Sequence, residues 1–219
     1  VCSFKINELL EKGLENDALK EIGKTIAVYG DDGYNTTEHW HLQKIGILEK
    51  RNDKAGIIEE YRRLFRQFLV DKRPYFEKLK ELVAKEDWDE FVVKLFEDIP
   101  HITDDDCIEV CDMILEEKKY QCLLKILMDN RMSFSRVNLF KKYAPYMSEE
   151  DQATYTNHVI EELRKHLSYA KSKSYGYIVD DIKGMYTCCE VSKKLILDFV
   201  EEIEYNYGNR PALMRLLRN

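Results

Sequence analysis

One short segment recurs along the chain and constrains its fold more than any other feature: Gly13-Leu-Glu-Asn-Asp-Ala18, Lys50-Arg-Asn-Asp-Lys-Ala55, Lys85-Glu-Asp-Trp-Asp-Glu90 and Glu117-Lys-Lys-Tyr-Gln-Cys122. The final residues of the four copies lie 37, 35 and 32 positions apart. Each copy reads as a polar turn between two helical patterns. Each also leads into an apolar stripe at helical spacing: Leu19, Ile22 and Ile26; Ile58, Tyr61, Phe65 and Phe68; Phe91 and Leu95; Leu123, Ile126 and Leu127. A repeated helix pair cannot bury its apolar face alone and must stack on its neighbours. The expectation is an all-α fold, an α-α superhelix of stacked antiparallel helix pairs. Residues 1–219 are expected to form a single helical-repeat domain, more regular over 1–130, with longer helices and a terminal capping helix over 131–219.

Local signals agree with that division. There are only 9 Gly and 4 Pro against 44% hydrophobic and 34% charged residues, a balance that favours long helices over turn-rich β structure. Thr103 precedes three aspartates suited to a helix N-terminus, and Ser148 with Asp151 three residues on can cap the next long helix. Helices are expected from Glu149 to about Ala170, from Tyr175 to about Tyr186, and from Val191 to about Tyr207. Val191, Leu195, Phe199, Val200 and Ile203 form the apolar face of the last of these. A short helix from Pro211 to Leu217, apolar through Leu213, Met214, Leu216 and Leu217, is expected to cover the open end of the final pair.

Charge and composition exclude some classes of function. A net charge of −7 and a pI near 5.4 work against a general phosphate-binding surface, although a local basic patch remains compatible with them. No apolar run approaches the roughly 18 residues of a membrane-spanning helix, so no membrane association is expected. The start, Val1-Cys2-Ser3-Phe4-Lys5, lacks the layout of a secretion signal. A cytoplasmic chain with its six cysteines as thiols is therefore expected. Because the helical pattern begins almost at Val1 rather than after a Met, the sequence reads as a piece of a longer protein.

These hairpins resemble the tetratricopeptide class of helical repeat, in which a small residue early in the second helix allows close packing. Ala18 and Ala55 fit that position, whereas Glu90 and Cys122 depart from it. A second resemblance is carried by Phe199-Val-Glu-Glu-Ile-Glu-Tyr-Asn-Tyr-Gly-Asn-Arg-Pro-Ala-Leu-Met214 and by Tyr75-Phe-Glu-Lys-Leu-Lys80 with Trp88. This pattern is similar to the helical region that follows the zinc finger in bacterial SWIM zinc-finger proteins. The family's finger needs a C-x-C pair and a C-x-H pair, and neither occurs here. The resemblance thus implies that any zinc site belongs to an upstream segment, and it assigns no ligand role to the cysteines or histidines of this chain.

Candidate chemistry is sparse. His158, Glu162 and His166 share a helix face, but eight residues at about 1.5 Å each separate the histidines by about 12 Å, too far to share one ion; a solvated face with a Glu162–His166 pair is expected. Cys107 and Cys111 continue into Ile114 and Leu115 as a packing stripe. Cys188 and Cys189 fall at a hairpin turn and read as ordinary thiols. His39 and His41 point apart, and Trp40 between them reads as a packing residue. Asp180, Asp181, Glu201 and Glu202 read as solvated. Glycine-rich phosphate loops, nucleophile elbows and HExxH helices do not occur, so no catalytic residue, cofactor or metal is expected.

Two basic regions stand out. One is Arg62, Arg63, Arg66, Lys72 and Arg73, of which Arg62 and Arg66 share a helix face. The other runs from Tyr169 to Tyr177, where Lys171 and Lys173 alternate with aromatic residues including Tyr175, a mixture able to stack bases and neutralise phosphate. Nine of the 14 tyrosines lie beyond residue 140, and those left exposed would anchor a partner. The expected function is a non-enzymatic protein-interaction scaffold within a larger protein. Its candidate partner-binding residues are Arg62, Arg63, Arg66, Tyr169, Lys171, Lys173, Tyr175 and Tyr177. The alternative is a helical arm that assists nucleic-acid binding.

Overall fold

The computed structural model describes residues 2–29, 37–67, 71–100, 104–129 and 136–218. The stripe residue Phe68, the cap Thr103 and the side chain of Cys2 lie outside what is described. The fold is all-α: among the described residues there are thirteen α-helices, three one-turn 3₁₀ segments and no strand. The chain gathers into two compact units, residues 1–112 and 113–219.

The first unit contains α1 (Cys2–Glu11), α2 (Glu15–Tyr29), α3 (Glu38–Lys50), α4 (Lys54–Arg66), α5 (Arg73–Leu82), α6 (Lys85–Glu97) and the greater part of α7 (Asp104–Glu116). Two of its hairpins turn on one device. After α1, Gly13 adopts a left-handed backbone at φ 70°, with its N–H on the Leu10 carbonyl and that of Leu14 on Leu9. After α3, Asn52 does the same at φ 54°, with bonds from Asn52 to Glu49 and from Asp53 to Leu48. This is the Schellman ending, which satisfies the helix's last carbonyls and reverses the chain. Asp53 then caps α4 by accepting from the Gly56 N–H at 3.0 Å.

The third recurrent segment is a correction. Lys85 opens α6, and the turn before it is only Val83 and Ala84, both extended. Register is therefore set by helix starts. The fourth residue of each second helix is buried: Ala18 in α2, Ile57 in α4 and Trp88 in α6. From these the stripes continue through Ile22 and Ile26, through Leu64 and Phe65, and through Val92, Leu95 and Phe96, at the helical period. Ala55, expected as the small contact residue, is exposed. The close approach belongs to its neighbour Gly56, where a Cβ would meet Leu48 at 3.2 Å and the capping Asp53 carboxylate at 2.8 Å. An aromatic group closes this core: Phe76 lies 6.0 Å from Phe65, 5.9 Å from Phe96 and 5.5 Å from Trp88, centroid to centroid.

The second unit holds the end of α7, then α8 (Leu123–Asp129), α9 (Arg136–Tyr143), α10 (Glu149–Tyr169), α11 (Tyr175–Tyr186), α12 (Glu190–Tyr207) and α13 (Pro211–Arg218). Lys118, at φ 58°, repeats the left-handed turn, and Leu123, fourth from the start of the helical segment at Tyr120, is again buried. Ser148 caps α10 by accepting from the Asp151 N–H at 3.1 Å. The long helix α10 packs on α11 and α12, and its Tyr155 stacks on Phe140 of α9 at 4.5 Å. The buried face of α12 runs through Ser192, Ile196, Phe199 and Ile203, whereas Val191, Leu195 and Val200 are only half-buried; the expected stripe was rotated toward one edge. Ser192 belongs inside because its hydroxyl meets that of Thr156 at 2.7 Å. The short α13 packs on α11 through buried Leu213 and Met214.

Candidate partner-binding site

At the α10–α11 turn several exposed candidate side chains line one groove. Helix α10 buries Tyr155, Val159, Leu163 and Leu167 along one stripe, and the helical period leaves His166 and Tyr169 outside it. Ala170 and Lys171 are extended, the one-turn segment Ser172–Ser174 follows, and α11 then buries Tyr175, Ile178, Val179, Ile182 and Met185. Tyr177 falls opposite that stripe. Tyr169 is 69% exposed and Tyr177 81%. Together with His166, Lys171, Lys173 and the inner residue Ile178 they line one open groove of about 530 Å³. The His166 ring stands edge-on to Tyr169 at 5.8 Å. Neither Lys171 nor Lys173 makes an ion pair among the described residues.

The turn is braced from behind by Arg210, which sequence reasoning did not single out. Its Nη1 donates to the Leu167 carbonyl at 2.9 Å, near the end of α10, and to the Tyr175 hydroxyl at 3.4 Å. Its guanidinium also lies over the Tyr207 ring at 4.5 Å. Tyr175 is thus buried behind the turn, whereas Tyr169 and Tyr177 are exposed on it. The signal available in the sequence was position: Tyr175 shares the stripe of Ile178, Val179 and Ile182.

The basic cluster of the first unit is arranged differently. Arg62 pairs with Asp98 and, at 3.8 Å, with Glu59. Arg63 pairs with Glu59 at 3.2 Å and approaches Glu60 at 3.8 Å, and Arg73 lies 3.8 Å from Glu77. Lys72 is 1% exposed, and its ammonium donates to the Phe65 carbonyl at 3.2 Å and the Gln67 carbonyl at 2.7 Å, closing the end of α4. Burial draws its pKa down, opposed by the charges of Asp106 and Glu109. Arg66 is exposed and makes no ion pair among the described residues; it lines a small depression of about 260 Å³ with Arg63 and Pro100.

A buried polar group that the sequence did not announce lies between α3 and α4. His41 is fully buried, and its Nδ1 is 2.6 Å from Oε2 of Glu60, itself 2% exposed, while Lys44 donates to Oε1 at 2.6 Å. Burial pushes the Glu60 carboxyl up, but the hydrogen bonds from His41 and Lys44 and their charges outweigh this and hold it below its ordinary value. One sign of it was readable: Glu60 interrupts the apolar spacing of Ile57 and Leu64.

The other candidates are also distributed by tertiary contact. His158 lies 3.7 Å from Glu162, so the helix pairs that carboxylate with His158 rather than with His166. Glu162 also pairs with Arg136, which reaches Asp181 at 2.6 Å. Arg164 holds Glu202 through two nitrogens at 2.8 and 2.6 Å. Asp181 and Glu202 are therefore engaged, while their neighbours Asp180 and Glu201 are exposed. Cys107 and Cys111 are fully buried. Cys189 caps α12, its sulfur accepting from the Ser192 N–H at 3.4 Å; burial pushes the Cys188 thiol up to about 11. No group of three or more potential metal ligands converges among the described residues, and no described helix is long and apolar enough to cross a membrane.

Comparison with family models, curated proteins and solved structures returned no match, so these comparisons do not bear on the resemblance to the SWIM-associated helical region.

Proposed function

We propose that this chain is a non-enzymatic protein-interaction module whose contact surface is the α10–α11 groove. The observation that carries this reading is the exposure of Tyr169 and Tyr177 on either side of two lysines that have no ion pair among the described residues. Tyrosine supplies a large contact area with few rotatable bonds and a polar tip, and side chains of this type dominate binding energy where they become buried. The Arg210 brace fixes the turn beforehand, so little ordering entropy is lost on association. Further support is the engagement of Arg62, Arg63 and Lys72 within the fold, which leaves the groove as the better-formed basic surface.

The test is a binding measurement on a captured and purified partner. Wild-type chain immobilised beside the Tyr169→Ala/Tyr177→Ala variant is expected to bind that partner roughly tenfold more tightly, with both proteins equally folded by circular dichroism. Equal binding by the two would remove the groove as the contact surface, and turnover of a metabolite by the purified chain would remove the non-enzymatic reading.

A further inference from the structure

We infer that the α10–α11 groove takes a short acidic peptide segment that carries an aromatic or branched apolar anchor. The inference rests on the interaction role proposed above and adds the chemistry of the occupant.

Size comes first. A standard protein interface buries about 800 Å² on each side, far more surface than one helix turn presents, whereas a groove of about 530 Å³ has the dimensions of a site for a few side chains. Its occupant is therefore a linear segment and not a folded face. Charge comes second. Two arginines of the same unit are already engaged, Arg136 with Glu162 and Asp181 and Arg164 with Glu161 and Glu202. Lys171 and Lys173 retain their attraction for carboxylates that arrive from outside. The exposed ring of Tyr177 and the buried Ile178, which also line the groove, offer an apolar wall for one anchoring side chain.

The same ingredients of rings and lysines also occur in sites for single-stranded nucleic acid, but the balance here favours a peptide. A non-specific strand site tracks at least about four nucleotides and so needs a run of cations along the phosphates. The groove lines up two lysines, in a chain whose net charge is −7. Two ammonium groups match the carboxylates of a short acidic segment, and the remaining negative charge of the chain repels a longer polyanion.

The experiment uses the full chain and three fluorescein-labelled probes: the peptide Asp-Glu-Phe-Asp-Glu-Leu, its amide counterpart Asn-Gln-Phe-Asn-Gln-Leu, and an oligothymidylate of matched length. Fluorescence anisotropy at low salt is expected to show binding of the acidic peptide at least about tenfold tighter than of the amide peptide. Lys171→Gln/Lys173→Gln should weaken that binding roughly five- to tenfold, as expected for exposed charge pairs, and Lys85→Gln on α6 should leave it unchanged. Equal binding of both peptides, or no binding of the acidic one, overturns the inference. Tighter binding of the oligothymidylate also overturns it, in favour of nucleic acid. If the acidic peptide fails while a purified partner still loses affinity through Tyr169→Ala/Tyr177→Ala, the interaction surface stands and only its acidic occupant falls; if both fail, the proposed function falls too.

Discussion

Glu60 shows how one residue can be essential to a core and still look misplaced in a sequence. It sits where α4 turns inward, yet its carboxylate meets the buried His41 ring and the Lys44 ammonium, so the charge is compensated from α3. Replacing it removes the acceptor but does not strand two charges. Lys44, about a quarter exposed, can turn to water. Glu60→Leu is therefore expected to cost about 1–3 kcal/mol, the price of an unmet buried donor rather than of a stranded ion. Urea unfolding followed by circular dichroism measures this, and an unchanged midpoint would show that the network contributes nothing. The sequence reading of Trp40 as a packing residue agrees with its place against the Ile22 and Ile47 core, and the reading that His39 and His41 point apart fits an exposed His39 beside a buried His41. Both miss the acceptor of His41, 19 residues away, because no local pattern links them.

Among the helices, spacing decides which glycines are needed. Gly184 of α11 faces α9 so closely that a Cβ would lie 2.5 Å from a methyl of Val137, a branched side chain with little freedom to withdraw. Gly184→Ala gains helix propensity of up to about 1 kcal/mol but forces the two helices apart, and is expected to destabilise by about 1–2 kcal/mol net. Adding Val137→Ala should recover part of that loss. By contrast, Gly23 in α2 has open space where a Cβ would stand, and Gly23→Ala is expected to stabilise by about 0.5–1 kcal/mol. Thermal unfolding of the three variants tests both statements: a destabilising Gly23→Ala or a neutral Gly184→Ala would contradict them. The hairpin turns are another matter of elements. Gly13, Asn52 and Lys118 share one left-handed conformation, which glycine and, less strongly, asparagine declare in their residue type and lysine does not.

At the scale of the whole molecule, the ionic pattern dictates how the fold responds to acid. Carboxyls held below their ordinary 4.5 are distributed over both units: Glu21, brought to about 2 by hydrogen bonds from Lys24 and Lys5; Glu60; and Glu202, lowered chiefly by its hydrogen bonds from Arg164. A group whose native pKa is depressed adds stability that is complete above the unfolded value and is lost as pH falls through the native one. Glu109, raised chiefly by burial, acts in the opposite sense and softens the loss. The urea midpoint is expected to hold from about pH 7 to 5 and to fall steadily below about pH 4.5. A midpoint independent of pH down to about 3 would refute this account. What the sequence determined by itself is what lies within a few residues: helices at a 3.6-residue period, their approximate ends, the Ser148 cap, and the crowding of tyrosines toward the C-terminal part. The apolar stripe repeats so locally that even a misplaced turn at Lys85 left the all-α reading intact. Tertiary structure decided which of those side chains remain available. Arg62 meets Asp98 36 residues on, Arg164 meets Glu202 38 residues on, and Arg136 meets Asp181 45 residues on. These long-range pairs and the burial of side chains are settled between helices, not along them. For that reason a basic run near residue 63 became mostly internal contacts, and the turn between α10 and α11 kept its lysines and two of its tyrosines facing outward.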